Sequence, residues 1–448
     1  MKKDKISIVR SYILEQIENG SFRKGEKITG AREIASLIDV SFLKVQQGTE
    51  TLVRDGILES AGRVGTFVSK EWQNTIPRDS IKTIYSKYPW YSEFKELLES
   101  EMPKCLICNE LTHGVFEINT TINAQSRQNE YMDLSRIFDT IYPDKSDFFM
   151  QPFRSFYSGN KLFGIPFIFS PRVMFYNREL LSEGGCEEPS DAWTWDDFIN
   201  SIRILKKTFP PEKIFNWTVQ GWGNFIFMSG GSLMRPLEKD PVRIDSPETI
   251  DGLMKYAALK KEMEIKDIAK ISDFAYDRER FVKGEMVFHI APRQIMTFLK
   301  NSDFRKWGNV PMPGRKFTSQ ATDVICVRKS LADFQTASDF VRLMLSQEMQ
   351  DFMASRFYAI PVRKSSAFKS IDFDHPGDTI FLDEIPYMTA DYNLASPEIS
   401  EMLRCGLEGI FETDCDIEKA VREAAAALRT VLRFKNNNGN SLKYQEAV

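Results

Sequence analysis

Histidine is almost missing from this chain, with three residues among 448. General acid–base chemistry near neutral pH therefore has few carriers beyond paired carboxylates. The sequence also has no phosphate loop of the form GxxxxGK[ST], no GxSxG nucleophile turn and no HExxH helix, so no enzymatic activity is expected. The six cysteines, Cys105, Cys108, Cys186, Cys326, Cys405 and Cys415, are scattered and read as free thiols of a reducing compartment. Cys105 and Cys108 followed by His113 have the outline of half a zinc site. The remaining histidines, His289 and His375, bring no second pair at suitable spacing, so neither a metal nor a cofactor is expected. Long apolar runs are absent too. The opening MKKDKISIVRSYILEQ is broken by Asp4, Lys5, Ser7 and Arg10, too often for a signal peptide. No stretch approaches the roughly 18 uninterrupted apolar residues of a membrane span. A cytoplasmic protein with no membrane partner is the expectation.

At this length one hydrophobic core is not enough, and about three folding units are expected. Charge is divided unevenly between them. Residues 1–78 hold 13 lysines and arginines against 10 acids, a local +3 within an overall −4, which leaves −7 for the rest. The front of the chain is the part suited to an anionic partner.

The segment Glu26–Val68 reads as short helices followed by a glycine-punctuated hairpin. Ile34, Ala35, Leu37 and Ile38 form one apolar face, and Ser41 is placed to cap a helix carrying Val45, Thr49 and Leu52 on one side. Lys44, Gln46 and Gln47 are left facing outward. Asp55-Gly56 is a helix stop, and Ile57–Ser60 can pair with Gly65–Val68 around a turn in which glycine supplies the positive φ. With the amphipathic helix Ile8–Gly20 ahead of it, this series resembles the winged helix-turn-helix of GntR-type bacterial regulators over about 65 residues. The resemblance implies operator DNA as partner. It places Arg32, Ser41, Lys44, Gln46 and Gln47 against bases or phosphates, and Arg63, Gly65 and Thr66 at the minor groove. The chain departs from the family pattern at Thr29-Gly30, where Pro-Ser is usual, and at Phe42, where Arg is usual. Gln46 and Gln47 also stand where the family tends to carry Arg. Fewer cations weaken phosphate attraction, while glutamine can pair with adenine, so weaker binding and an altered sequence preference are expected.

The polar stretch 71–80 reads as a linker between a DNA-binding domain at 1–70 and a second domain at 81–435, with a polar tail at 436–448. Ile81, Thr83 and Tyr85 alternate as a strand, and Phe94, Leu97 and Leu98 begin a helix, the opening of an α/β domain. Several motifs follow in order: Gly164-Ile165-Pro166, a second strand Val173–Tyr176, the Trp193–Phe198 helix start capped by Thr194, and Gly221–Gly231. After these come a returning strand Phe281–Phe288, the turn Val310–Gly314, the helix Ala337–Gln350, Ala359–Arg363 and a helix pair within Leu403–Leu428. This series resembles the extracellular solute-binding proteins of sugar ABC transporters over about residues 80–435, most weakly from 100 to 160. The fold class implied is an α+β winged helix-turn-helix domain followed by a two-lobed α/β periplasmic-binding-protein-like domain of type II.

Such a fold binds its ligand between two lobes, and sugars are held by aromatic faces and planar polar side chains. By position in the motifs, Phe169, Arg172, Tyr176, Trp222, Arg293 and Asp323 are the candidate ligand contacts. Tyr176 also reads as core, Trp222 reads equally as cleft or packing, and Arg293 reads as a contact to an acidic sugar or, with slight preference, half of a surface ion pair. The combination predicts a transcription regulator whose effector is a small solute, a carbohydrate foremost. A homodimer is expected because one module makes too few DNA contacts for tight, selective binding. A transporter's solute-binding protein is the alternative, and a carbohydrate-active enzyme with a DNA-binding appendage is a weaker one.

Overall fold

The computed structural model describes residues 4–215, 221–235, 239–264, 274–314, 317–374, 376–389, 402, 405–407 and 416–437. Helix α1 (Lys5–Glu18) starts where the Asp4 carboxylate accepts the amides of Ile6 and Ser7 at 2.7 and 3.2 Å. These are two of the N–H groups that any helix start leaves unpaired. Val9, Ile13, Leu14 and Ile17 recur at helical spacing and are all buried. Helices α2 (Ala31–Leu37) and α3 (Phe42–Arg54) follow, and α3 crosses α1 at Gly48. A β-carbon at that glycine would lie 2.5 Å from Val9, so only glycine permits this approach. Strands β1 (Leu58–Ala61) and β2 (Gly65–Val68) pair antiparallel as the wing, with Leu58 opposite Val68 and Ala61 opposite Gly65. Ser41 holds the N-cap position of α3 in extended conformation without a side-chain capping bond.

The stretch 71–80 is not a free linker. Trp72 is buried in the core of the wing module, the Gln73 carbonyl accepts the Thr112 amide at 2.8 Å, and Ser80 bonds back to the Pro77 carbonyl at 2.7 Å. A polar composition hid one large indole, and burying such a side chain outweighs the pull of its hydrophilic neighbours. Beyond it, strand β3 (Ser80–Lys82), followed by helix α4 (Tyr91–Glu101), pairs in parallel with β4 (Leu106–Cys108). This strand is shorter than the alternation through Tyr85 suggests. Leu106, Cys108 and Leu111 lie in the same apolar cluster as Val9, Ile13 and Leu52. The wing module and the next domain therefore share one core, with α1 lying against β4.

That domain is organised on two long strands. Parallel β5 (Phe116–Thr120) pairs with β3 in the first lobe and leads into α5 (Thr121–Ser126). Strand β6 (Ile165–Asn177) is a single element where two were expected. Up to Pro171 it pairs with the other long strand, and from Arg172 it pairs with β7 (Phe288–Pro292) and β8 (Trp307–Val310). Pro171 lacks an N–H, and it stands where the strand changes partners, so the missing donor falls at the junction of the two ladders. The other long strand, β9 (Thr318–Val327), pairs with both β5 and β6 and carries a bulge between Asp323 and Val324. The expected returning strand Phe281–Phe288 is instead the end of a helix and a turn, with extended structure beginning only at Phe288.

Three further cores fill this domain. One, with Phe94, Phe116, Phe163 and Phe340, lies in the first lobe. A second, with Phe198, Phe225, Leu253 and Phe288, lies in the second. The third packs Phe169, Phe175, Phe281 and Phe381 beside the crossing strands. In the second lobe, α6 (Trp195–Leu205) starts with a reciprocal Thr194–Asp197 capping box, α7 (Gly221–Met228) packs on α8 (Pro247–Glu262), and α9 (Ile417–Asn437) lies against α8. Much of the expected helix pair Leu403–Leu428, and most of the tail 436–448, lies outside the described residues. None of the helices among the described residues is long and apolar enough to cross a membrane.

Candidate functional site

Two regions combine exposure with chemistry. On the wing module, Val45, Gly48 and Leu52 turn inward and leave Phe42, Leu43 and Gln46 exposed along the opposite side of α3. Arg32 is exposed on α2, Ser41 is exposed at the start of α3, and Arg63 is exposed at the wing turn beside half-buried Gly65 and Thr66. Lys44 donates to the Gln47 side chain at 3.0 Å, so these two are partly committed to each other. The outward edge of α3 with its N-cap and the wing thus carry seven of the eight residues assigned to DNA by resemblance, and Arg32 lies on α2.

The second region lies where β6 changes partners. Arg172, the first residue past the switch, donates from Nη1 to Ser319 Oγ at 2.9 Å and to the Gln320 carbonyl at 3.0 Å. Ser319 Oγ donates to Asn224 Oδ1 on second-lobe helix α7 at 3.0 Å. Gln320 Nε2 donates to Ser155 Oγ at 2.8 Å, and Gln125 Nε2 on first-lobe helix α5 donates to the Ser155 carbonyl at 3.0 Å. One chain of polar groups therefore runs from the second lobe across the crossing strands to the first. Its inner members are buried, while Arg172 and Asn224 remain half-exposed. Among the described residues no carboxylate pairs with Arg172, whose guanidinium partners are the Ser319 hydroxyl and the Gln320 carbonyl, with the Asn224 amide beyond Ser319. Such a set offers donors and acceptors in the pattern that a polyhydroxyl ligand takes up.

The other candidates fall elsewhere. Phe169 is fully buried in the core beside the crossing strands and packs on Phe149 with ring centroids 5.5 Å apart, so it is a packing residue. Tyr176 is buried in the second-lobe core, and its hydroxyl donates to Glu188 at 3.0 Å. Arg293 is neither a cleft cation nor half of a surface pair. It is completely buried, with Nε and Nη2 donating to Asp378 Oδ1 at 3.1 and 3.0 Å, Nη2 also to the Ser370 carbonyl at 2.8 Å, and Nη1 to the Ala359 carbonyl at 3.3 Å. A buried guanidinium must satisfy its donors inside the protein, and this one does so with a carboxylate and two carbonyls. Asp323 sits at the bulge of β9, where its Oδ2 accepts the Tyr85 hydroxyl at 2.9 Å. Burial pushes its carboxyl up to about 7, while the hydrogen bonds from Tyr85 and Tyr358 pull the other way. Trp222 lies in α7, but its side chain is outside the described residues. Cys105 and Cys108 belong to different cores, and burial raises both thiols.

Asn224, Ser319, Gln320, Ser155 and Gln125 were not singled out by the motifs. One signal was available, because β9 opens with TSQATD, a polar run in a strand whose Thr318, Ser319, Gln320, Thr322 and Asp323 are all buried. Buried polar residues gathered on one strand need partners, and those partners mark the crevice.

The comparisons with known proteins match both parts of the chain. Residues 115–374 match the family model for bacterial extracellular solute-binding proteins, and residues 6–68 match that for bacterial regulatory proteins of the gntR family. Among solved structures, maltose-bound MalE3 of T. maritima is similar at 17% identity and a TM-score of 0.63, covering 80% of this chain and 100% of that one. A Thermotoga lettingae ABC transporter solute-binding protein with bound α-D-tagatose gives 13% identity and a TM-score of 0.65, over 80% of this chain and 98% of that one. UgpB of Mycobacterium tuberculosis in complex with glycerophosphocholine gives 14% and 0.62, over 80% and 99%. No curated protein matches the chain. With a family model spanning more than half its length, the chain belongs to the bacterial extracellular solute-binding proteins and carries in front of that domain a DNA-binding domain of the gntR family.

Proposed function

We propose that this protein is a cytoplasmic, homodimeric transcription regulator whose solute-binding domain takes a sugar or related polyhydroxyl effector between its lobes. The observation that carries this reading is the shared core between α1 and β4. Arg10 donates to Asp55 at 3.2 Å within the wing module, and also to the carbonyls of Arg78 at 3.1 Å and Lys104 at 3.5 Å beyond it. Glu18 accepts the amides of Asn109 and Glu110 at 2.7 and 3.0 Å. The DNA reader is thereby braced on the first lobe, and an effector that closes the second lobe onto the first moves mass relative to the reader. In a dimer, that displacement changes the spacing of two recognition helices, which operator half-sites sense directly.

The half-exposed Arg172 and Asn224 supply the effector contacts, and the sugar-bound relatives in the comparison support the ligand class. A coupling of about 1–3 kcal/mol between effector and DNA suffices, a change of about 5–150-fold in operator affinity. The test is retention of duplex DNA by the full chain in a mobility-shift assay, repeated across a panel of sugars. At least one sugar is expected to change retention about fivefold or more, and R172A is expected to keep DNA retention while losing that response. Failure of the wild-type chain to retain any DNA at low salt refutes the proposal.

A further inference from the structure

The recognition helix begins with an apolar pair where a charged reader would stand. Phe42 and Leu43 open α3 and are 44% and 61% exposed. Neither belongs to the core of the wing module, which takes Val45 and Leu52 from the same helix. Leu37, at the end of α2, is 62% exposed, and Val64, at the wing tip, is 64% exposed. Each edge of this surface that a duplex would meet therefore has an apolar side chain among its polar ones. Residues three and four apart share a helix face, so Phe42 and Leu43 lie above Gln46 and Gln47. Exposed Gln46 leaves its amide unused by any other side chain of the described residues, whereas Gln47 is held by Lys44.

Isolated apolar residues on a surface need no explanation, but two adjoining ones at the N-terminal turn of a recognition helix lie where base edges are read. In the major groove the one apolar feature is the thymine 5-methyl group, and the partner of a glutamine amide is adenine through N6 and N7. A guanine reader would place a cation on this turn. Lys44 is the only one on it, and it is tied to Gln47.

We infer that α3 reads A·T pairs, with Phe42 and Leu43 packing on thymine methyl groups and Gln46 pairing with adenine. This rests on the DNA-binding reading above and specifies its target. The occupant is duplex DNA rather than a second copy of the chain, because the elements that carry the patch also carry Arg32, Lys44 and Arg63, in the part of the sequence with net positive charge.

The test begins by selecting duplexes from a random pool with the full-length chain. Thymines in the selected half-site are then replaced one at a time by deoxyuridine, which removes only the methyl group. Affinity is measured by fluorescence anisotropy. Each contacted position is expected to weaken binding about fourfold, the worth of one buried methyl-sized group. In F42A or L43A the deoxyuridine penalty at one position should vanish, while the penalties at the other contacted positions remain. A selected site that is G·C-rich, or that tolerates deoxyuridine throughout at full affinity, overturns the inference and leaves the regulator reading standing. If F42A shifts the oligomeric state in gel filtration and leaves the deoxyuridine penalties intact, the patch is a contact between copies and the inference fails. Retention of no duplex at all refutes the regulator reading itself, and this inference with it.

Discussion

Replacing Arg293 by methionine separates a ligand-binding arginine from a structural one. The side chain is wholly enclosed, and it joins the strand end at Pro292 to Asp378, the Ser370 carbonyl and the Ala359 carbonyl. Without it, Asp378 remains buried with the Asp372 amide, at 3.0 Å, as its remaining hydrogen-bond partner among the described residues. Removing one partner of such a pair costs about 3–5 kcal/mol, because the other charge stays buried and unpaired. For a domain of this size each kcal/mol lowers the melting temperature by about 2 °C, so R293M should melt about 6–10 °C below the wild type. D378L should fall by a similar amount, since it strands the guanidinium. In the double variant R293M/D378L neither charge is left alone, and apolar replacement of a whole buried pair is often neutral. Its melting temperature should therefore lie above that of either single variant, a coupling that calorimetry on the three proteins reads directly. If R293M melts within about 1 °C of the wild type, Arg293 behaves as a surface or cleft residue and the reasoning is wrong.

Two further outcomes follow from buried contacts. Asp323 holds its proton up to about 7 in the folded chain against an ordinary 3.8, because of burial. The folded state thus binds more protons than the unfolded between those values, and the contribution of this group to stability falls as pH rises from about 4 through 7, then stays level. The loss is on the order of 4 kcal/mol at most, and D323N lacks it, so the stability of D323N relative to wild type should rise between pH 5 and pH 8 in urea titrations. An equal difference at both pH values would refute this. Gly252 of α8 lies so close to α7 that a β-carbon would stand 2.5 Å from the Phe225 carbonyl oxygen and 2.6 Å from the Ile226 α-carbon. Backbone cannot rotate aside as a side chain can, so G252A should cost about 1–3 kcal/mol and displace the helix that bears Asn224. An unchanged urea midpoint would show that the two helices separate freely.

Local patterns were enough for the parts of this protein that are local in their physics. The wing module is legible because its apolar spacing, the Asp55-Gly56 stop and the glycines of the hairpin act within a few residues, and the structure places α1, α2, α3 and both wing strands on those signals. The order of motifs from Gly164 to Arg363 likewise announced a two-lobed domain. The functions of single side chains were not legible in the same way. Arg293 and Arg172 are both arginines near apolar strands, and only the fold brings Asp378 to the first while no carboxylate among the described residues reaches the second. Nor could composition show that Trp72 sits in a core or that α1 is packed against a strand about ninety positions away along the chain. Burial and ion pairing depend on what arrives from distant sequence. The chain by itself therefore specified which modules form, while tertiary packing decided which polar groups are consumed inside and which are left to meet a ligand or DNA.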